Sequence, residues 1–335
     1  MPDFSIIIPA YNSTAWLPHC LKAVQQQTID CARYEIIVVD DGSIDRTVST
    51  AQEILKGNPS ARVMTVPHGG PAAARNAGAQ LAQGELVLFT DSDCEPAPDW
   101  IQTLTAAFQE PAVVGAKGVY RTQQRSLVAR FVQQEYQVKY DQMRQLKAID
   151  FIDTYSAAYR REAFLANGGF DETFTTASVE DQEFSFRLAS RGYHLVFAPN
   201  AIVFHQHDAS PLEYFRRKFH IGFWKAYVLR LHPDKIIHDS HTPQSEKVQM
   251  SLLALALGIS ATTLGFPYII GWALAAWLLL ALSMVPFLIK ITQRDPLVLT
   301  IAPILIVLRA FALGLGLVAG LIRFSLKPPI PLNKP

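Results

Sequence analysis

Residues 86–94 read LVLFTDSDC, an apolar run that delivers Asp91-Ser92-Asp93 at its end. A continuous stretch of this kind, Leu86 to Thr90, marks a strand buried on both faces. Carboxylates at i and i+2 on a strand terminus point the same way. Their hard oxygens suit Mg²⁺ or Mn²⁺ better than zinc, and a cation held there binds a diphosphate. A capped turn before a helix at Trp100 is the other reading of the same three residues.

Outward from this strand the pattern alternates. Phe4 to Ile8, ended by Pro9, and Glu35 to Val39, closed by Asp40, Asp41 and Gly42, are two more apolar, β-branched runs, and Arg62 to Val66 is a further strand. Between them Trp16, Leu17, Cys20, Leu21 and Val24, then Val48, Ala51, Ile54 and Leu55, recur at helical spacing. Gly69 to Gly78 opens another helix, to about Gln83. The expectation is an α/β, Rossmann-like open sheet, with ligands at the carboxyl ends of its strands. Beyond Thr90 the pattern loosens: helices at Trp100–Phe108, Ser126 to about Lys147 and Asp181–Arg191, and strands at Phe151–Tyr159 and Ala201–Phe204.

Polar groups gather where those strands end. Asp40-Asp41 is placed to accept hydrogen bonds from a nucleotide's ribose or base, or to start an Asx-turn. Pro9, Ala10, Tyr11 and Asn12 close the neighbouring strand, so two adjacent ends form a nucleotide-shaped mouth. The segment GGPAAARNAG at Gly69–Gly78 contains neither Gly-x-Gly-x-x-Gly nor a Walker lysine. Its small residues permit close backbone approach and Arg75 suits a phosphate, although an ordinary Ala-rich helix start has the same composition. Glu180, Asp181 and Glu183 open a helix, either complementing its dipole or accepting a proton from an attacking hydroxyl. His205 and His207 follow the last strand, and one of them completes a metal shell if a metal is bound.

The chain of 335 residues is 50% hydrophobic and only 18% charged, against roughly 25% charged in soluble domains. The shortfall lies in the tail: residues 250–335 carry six basic side chains and one acid, a balance of +5, leaving −4 for the rest. So apolar a chain is not disordered, and an acidic head without a basic run is a poor nucleic-acid binder. Three cysteines, Cys20, Cys31 and Cys94, give no disulfide framework. Met1 to Ser5 lacks the basic n-region of a secretory signal, so the head is expected in the cytoplasm. Spans need roughly 20 apolar residues, and three parse out at about 250–266, 268–289 and 297–324. Before them Pro211 to Leu231 places Phe215, Phe219, Phe223, Tyr227 and Leu231 at i,i+4 among arginines and lysines, an interfacial-helix pattern. A basic helix packed on the sheet is its alternative. The expected division is a catalytic domain at 1–210, an amphipathic basic segment at 211–249 and a transmembrane region at 250–335. The positive-inside rule puts Lys290 and Arg294 in the cytoplasm and conflicts over Arg323, Lys327 and Lys334. Arg309, a charge inside an apolar run, is a functional candidate for meeting a lipid phosphate.

In order, spacing and type, SIIIPAYN (5–12), EIIVVDDGSIDRT (35–47), the run from Gly69 to Cys94, GGFDETF (168–174) and VEDQEFSFRLASRG (179–192) resemble family 2 glycosyltransferases of the GT-A fold, over about residues 4–225. Three following spans resemble the family's membrane-anchored bacterial members. The resemblance implies a GT-A catalytic domain with C-terminal transmembrane helices, in the inner membrane. Pro9, Tyr11, Asp40 and Asp41 would contact the nucleoside, and Arg75 would lie near the base or diphosphate. Asp91 and Asp93 would be the DxD pair, with Asp93 the direct Mg²⁺ or Mn²⁺ ligand, and Asp181 the catalytic base. His205, with His207 competing, would be a further metal ligand. The partners implied are a nucleotide-sugar donor, UDP-linked most commonly, and a lipid-linked or membrane-borne hydroxyl acceptor. A polyprenyl phosphate acceptor and an inactive membrane scaffold are the alternatives. Phe215-Arg216-Arg217-Lys218 stands where processive members carry Gln-x-x-Arg-Trp, which argues against polymer synthesis.

Overall fold

The structure is a computed structural model that describes residues 2–174, 176 and 178–326. Lys327 and Lys334 lie outside the described residues. Eight strands form one mixed sheet: β1 (Phe4–Ala10), β2 (Tyr34–Asp40), β3 (Ala61–Thr65), β4 (Leu86–Phe89), β5 (Cys94–Pro96), β6 (Val113–Arg121), β7 (Ala157–Arg160) and β8 (His194–His205). Their order is β3-β2-β1-β4-β7-β6-β8-β5. The first four are parallel to one another, β7 is antiparallel to both neighbours, and β5 is antiparallel to β8. The helices are α1 (Leu17–Gln25), α2 (Thr47–Ile54), α3 (Pro71–Leu81), α4 (Trp100–Thr105), α5 (Leu127–Met143), α6 (Arg161–Ala166), α7 (Glu180–Ser190), α8 (Pro211–Leu231), α9 (Gln244–Thr262), α10 (Ile270–Arg294) and α11 (Ala302–Leu326).

The β-branched runs make the sheet's centre because helices cover both faces: Ile6, Ile7, Ile8 and Ile36 to Val39 are at most 1% exposed, as fully buried parallel strands require. Phe89, Tyr159, Phe164, Phe170 and Phe184 form an aromatic cluster beside β4, most pairs edge-on. Two strands escape the sequence pattern. β5 has three residues, and β6 reads VVGAKGVYR, where glycines and a lysine interrupt the apolar run. Gly118 is required there, since a Cβ would meet Ser156 Oγ at 2.0 Å and Ala201 O at 2.3 Å. The strand expected over 151–159 shrinks to β7, because Asp153 and Thr154 make side-chain and backbone contacts of their own before Thr154–Ser156 turns as a 3-10 helix.

The described residues form two compact units: those up to Gln123 with Tyr140–Gln206, and Gln124–Lys139 with residues 207–326. The expected division at residue 210 therefore misplaces one piece. Most of α5 clusters with the helical unit, because Val128, Phe131 and Val132 pack in a core with Tyr214, Leu253, Leu280, Leu305 and Ile306.

In this second unit two stretches are long and apolar enough to cross a membrane, Pro267–Arg294 and Ala302–Leu326, of mean hydropathy 2.2 and 2.4. The first of the three expected spans falls short. Its helical part after Gln249 stops at Thr262, about 20 Å at 1.5 Å per residue, against a hydrocarbon core of roughly 30 Å. α8 packs on α11: a Cβ on Gly316 or Gly320 would lie 2.1 or 2.2 Å from the carbonyl oxygen of Phe219 or Phe223. The aromatic stripe of α8 is accordingly half-covered from within, Phe215 against Phe311, and Phe223 and Tyr227 against Phe324. Arg309 is 4% exposed. Its guanidinium donates to Glu135 (2.6 Å), Gln249 (2.6 Å) and Glu246 (3.4 Å), so it is not held out to a lipid phosphate.

Candidate active site

β1 and β2 end level, with Pro9 opposite Val39 and Ala10 opposite Asp40. Asp40 is fully buried and both its oxygens accept from the Ser43 N–H, the turn role. Asp41 accepts from the N–H groups of Gly69 (2.8 Å) and Gly70 (3.0 Å), and its Oδ2 lies 2.9 Å from His68 Nδ1. His68 in turn stacks on Tyr11, ring centroids 4.4 Å apart. Tyr11 stays 46% exposed, an open aromatic face beside buried Pro9 and Asp41. The residues expected together at the two strand ends are neighbours in the structure, and His68, which sequence reasoning missed, lies among them.

The turn after β4 carries Asp91 and Asp93. β5 pairs with β8 so that Cys94 faces His205, and this register brings His205 Nε2 to 3.2 Å from Asp93 Oδ2. Burial opposes the Asp93 charge, but the hydrogen bond and charge of His205 hold its carboxyl below the ordinary value. Cys94 Sγ is 3.8 Å from Asp93 Oδ1, and Asp93, Cys94 and His205 form a possible metal-holding group. Burial, with Asp93 and Asp91 nearby, pushes the Cys94 thiol well up. The ready donors are therefore the Asp93 oxygen and His205 nitrogen, a set that fits Mn²⁺ or Mg²⁺. His207 belongs to the second unit, buried against Tyr136 with Nε2 3.3 Å from Gln133 Oε1. His205 is the histidine beside Asp93.

Arg75 reaches two acids at once. It is 3% exposed, donating to Asp91 Oδ1 at 2.6 Å and to Glu180 Oε1 at 2.9 Å. Burial works against the charge, and Asp91 and Glu180 more than offset it, so the guanidinium is held above its ordinary pKa. Both terminal nitrogens are engaged with protein carboxylates. Its neighbour Asn76 donates to Phe170 O (2.8 Å) and Glu172 (2.9 Å) and accepts from Phe170 N–H (2.9 Å). Gly169, at φ 64° and with Asn76 Oδ1 only 2.4 Å from where a Cβ would stand, is the residue that lets this loop close.

Asp181 sits in the first turn of α7, half-buried. Its Oδ1 accepts from Gln182 N–H (2.7 Å) and its Oδ2 from Thr154 N–H (3.3 Å). Burial and adjacent Glu180 drive its carboxyl up, Arg75 and Lys117 oppose them, and the balance leaves it at about 7, where a carboxylate serves as a general base. Lys117 and Asp153, which pair close by, were not anticipated, because β6 itself was not.

An open mixed sheet with a DxD turn and an acidic helix start is the layout of a GT-A glycosyltransferase, and comparison with known proteins agrees. Residues 5–167 match the family model described as Glycosyl transferase family 2. A pre-mycofactocin glycosyltransferase of Mycobacterium tuberculosis is 29% identical over 240 residues, covering 70% of this chain and 49% of that protein. This chain thus spans about half of that relative's length. An O-antigen chain rhamnosyltransferase, RfbN, of Salmonella typhimurium is 29% identical over 66% of this chain and 72% of its own. Among solved structures, the mannosyltransferase PcManGT from Pyrobaculum calidifontis, in complex with GDP-Man and Mn²⁺, superposes at TM-score 0.59 and 20% identity over 92% of this chain and 86% of that one. GalNAc-T7 with UDP, GalNAc and Mn²⁺ does so at 0.51 and 18%, over 72% and 52%. Over residues 5–167, just under half of its length, the chain is thus similar to glycosyltransferase family 2.

Proposed function

We propose that this protein is an inverting glycosyltransferase that moves a sugar from a nucleotide diphosphate to a hydroxyl on a membrane-borne or lipid-linked acceptor, in envelope glycan or glycolipid synthesis. The observation that carries the reading is the double grip of Arg75. One guanidinium ties Asp91 of the DxD turn to Glu180 of the acid pair, so the groups for donor and acceptor chemistry are built as one assembly.

Asp93 and His205, with Asp91 beside them, would hold Mn²⁺ or Mg²⁺, and the solved relatives named above contain Mn²⁺ with a nucleotide or nucleotide sugar. When bound, such a cation stabilises negative charge as it develops on a departing diphosphate. Tyr11 and His68 offer the nucleobase a stacking surface, and Pro9 and Asp41 border it. Asp181 accepts the acceptor hydroxyl's proton while that oxygen attacks the anomeric carbon opposite the nucleotide, which inverts configuration. A phosphate acceptor, already ionised, would leave Asp181 without that task, and this favours a hydroxyl. The two apolar helices, α10 and α11, support seating in a cell membrane with the catalytic unit on its cytoplasmic side.

Nucleotide sugars screened for thermal stabilisation in the presence of Mn²⁺ will identify the donor, since a bound ligand raises stability by mass action. With that donor, Asp93→Ala and Asp181→Asn should each reduce transfer by about 10²–10⁴-fold. Wild-type rates in both would remove the catalytic assignment of these two residues, and no transfer by the wild type with any donor would leave an inactive membrane scaffold.

A further inference from the structure

Lys117 lies in the middle of β6 with no exposed surface. Its ammonium pairs with Asp153, itself 6% exposed. It also lies 3.5 Å from Tyr155 Oη and 4.7 Å from the Phe151 ring centroid. Tyr155 Oη is 3.0 Å from Tyr140 Oη, which accepts from the Tyr120 N–H at 2.8 Å, so the pair is embedded in a braced polar network. Withdrawing an ion pair from water gains little over well-packed apolar side chains of the same volume. Such a pair is better explained by what it fixes. The residue after Asp153 is Thr154, whose N–H donates to Asp181 Oδ2.

We propose that Lys117 and Asp153 position the base: the pair pins residues 153–155 so that the Thr154 N–H holds one oxygen of Asp181, and its two charges balance the field that carboxylate meets. The inference rests on Asp181 as the base in the reading above. The charged and titratable groups that act on Asp181 are Glu180 on its own helix, Arg75 on α3, Lys117 on β6 and Tyr159 on β7, and Asp153 joins them through its pair with Lys117. Of these, Arg75 and Lys117 favour the ionised carboxylate and Glu180 opposes it.

The test uses full-length protein in detergent, and its titration arm needs no donor. The Asp181 carboxyl ¹³C resonance, assigned by its loss in Asp181→Asn, is titrated in wild type, Lys117→Met and Asp153→Asn. Removing the positive charge should move the titration up by about one pH unit, the low end of the shift that a nearby opposite charge produces. Asp153→Asn keeps the shape, leaves the ammonium unneutralised, and should move it down by a similar amount. Damage to packing alone lowers activity without driving the two titrations apart. An unmoved or upward titration in folded Asp153→Asn overturns the proposal, even if Lys117→Met fails to fold. If Asp181→Asn is inactive and the titrations do not separate, the base stands and the positioning pair falls. Opposite shifts with an active Asp181→Asn keep the pair and remove the base.

Discussion

Two clusters of buried charge, one in each unit, are put to different use. Around Glu135 every charge is answered: Arg309, Lys218 and Tyr214 reach its carboxylate, while Lys139 and Arg309 reach Glu246. Around Arg75 the answering is partial. Asp91 and Glu180 share the cation, yet Asp93 keeps 41% of its side chain exposed and, among the described residues, Asp181 accepts from just two backbone N–H groups. A closed network specifies packing. An incomplete one at the surface retains binding capacity, and that difference separates a structural arginine from a candidate catalytic acid more surely than position in an apolar run.

The comparison can be broken at three points. Arg75→Met removes the only cation paired with Asp91 and Glu180 among the described residues. It should cost about 4–5 kcal/mol, at the upper end for breaking a buried pair, read as a large fall in the midpoint of thermal unfolding. Arg309→Met should cost less, about 3 kcal/mol, because Lys218 and Lys139 still accompany the two acids. The KM for the nucleotide sugar should stay unchanged; a selective loss of activity on lipid acceptors alone would restore the phosphate role for Arg309. Asp181→Asn should act in the opposite direction and be the smallest. A carboxyl raised from its unfolded value to about 7 costs nothing below about pH 4 and progressively destabilises the fold as pH rises to 7. The variant should therefore match wild type at pH 4 and exceed it at pH 8. The gain should be on the order of 1–2 kcal/mol, discounted from the full shift because Asp181 is partly open to water. If Asp181 is the base, kcat/KM of the wild type, measured against pH, should rise through about pH 7.

The parallel half of the sheet was legible because β1, β2 and β4 are buried on both faces and so are written as unbroken apolar runs. β6 was not, since Gly115, Lys117 and Gly118 answer to close neighbours and an ion partner rather than to a period of two. The positions of Asp93 just after β4 and of Asp181 in the first turn of α7 were legible from the sequence pattern. The roles of Arg75 and Asn76 were not, because their partners lie about 95–105 residues away and nothing local distinguishes an arginine that meets carboxylates from one that meets phosphate. His205 and His207 were separable only through the register that sets His205 against Cys94.

The placement of α5 has a practical consequence for anyone trimming the chain. Residues 124–139 lie between two stretches of the sheet-bearing unit, yet their apolar side chains belong to the helical core. No single cut can therefore release an intact soluble catalytic fragment. A fragment ending at residue 210 would present Val128, Phe131 and Val132 to solvent as a sticky ridge, and should need detergent or surface redesign of that helix to remain in solution.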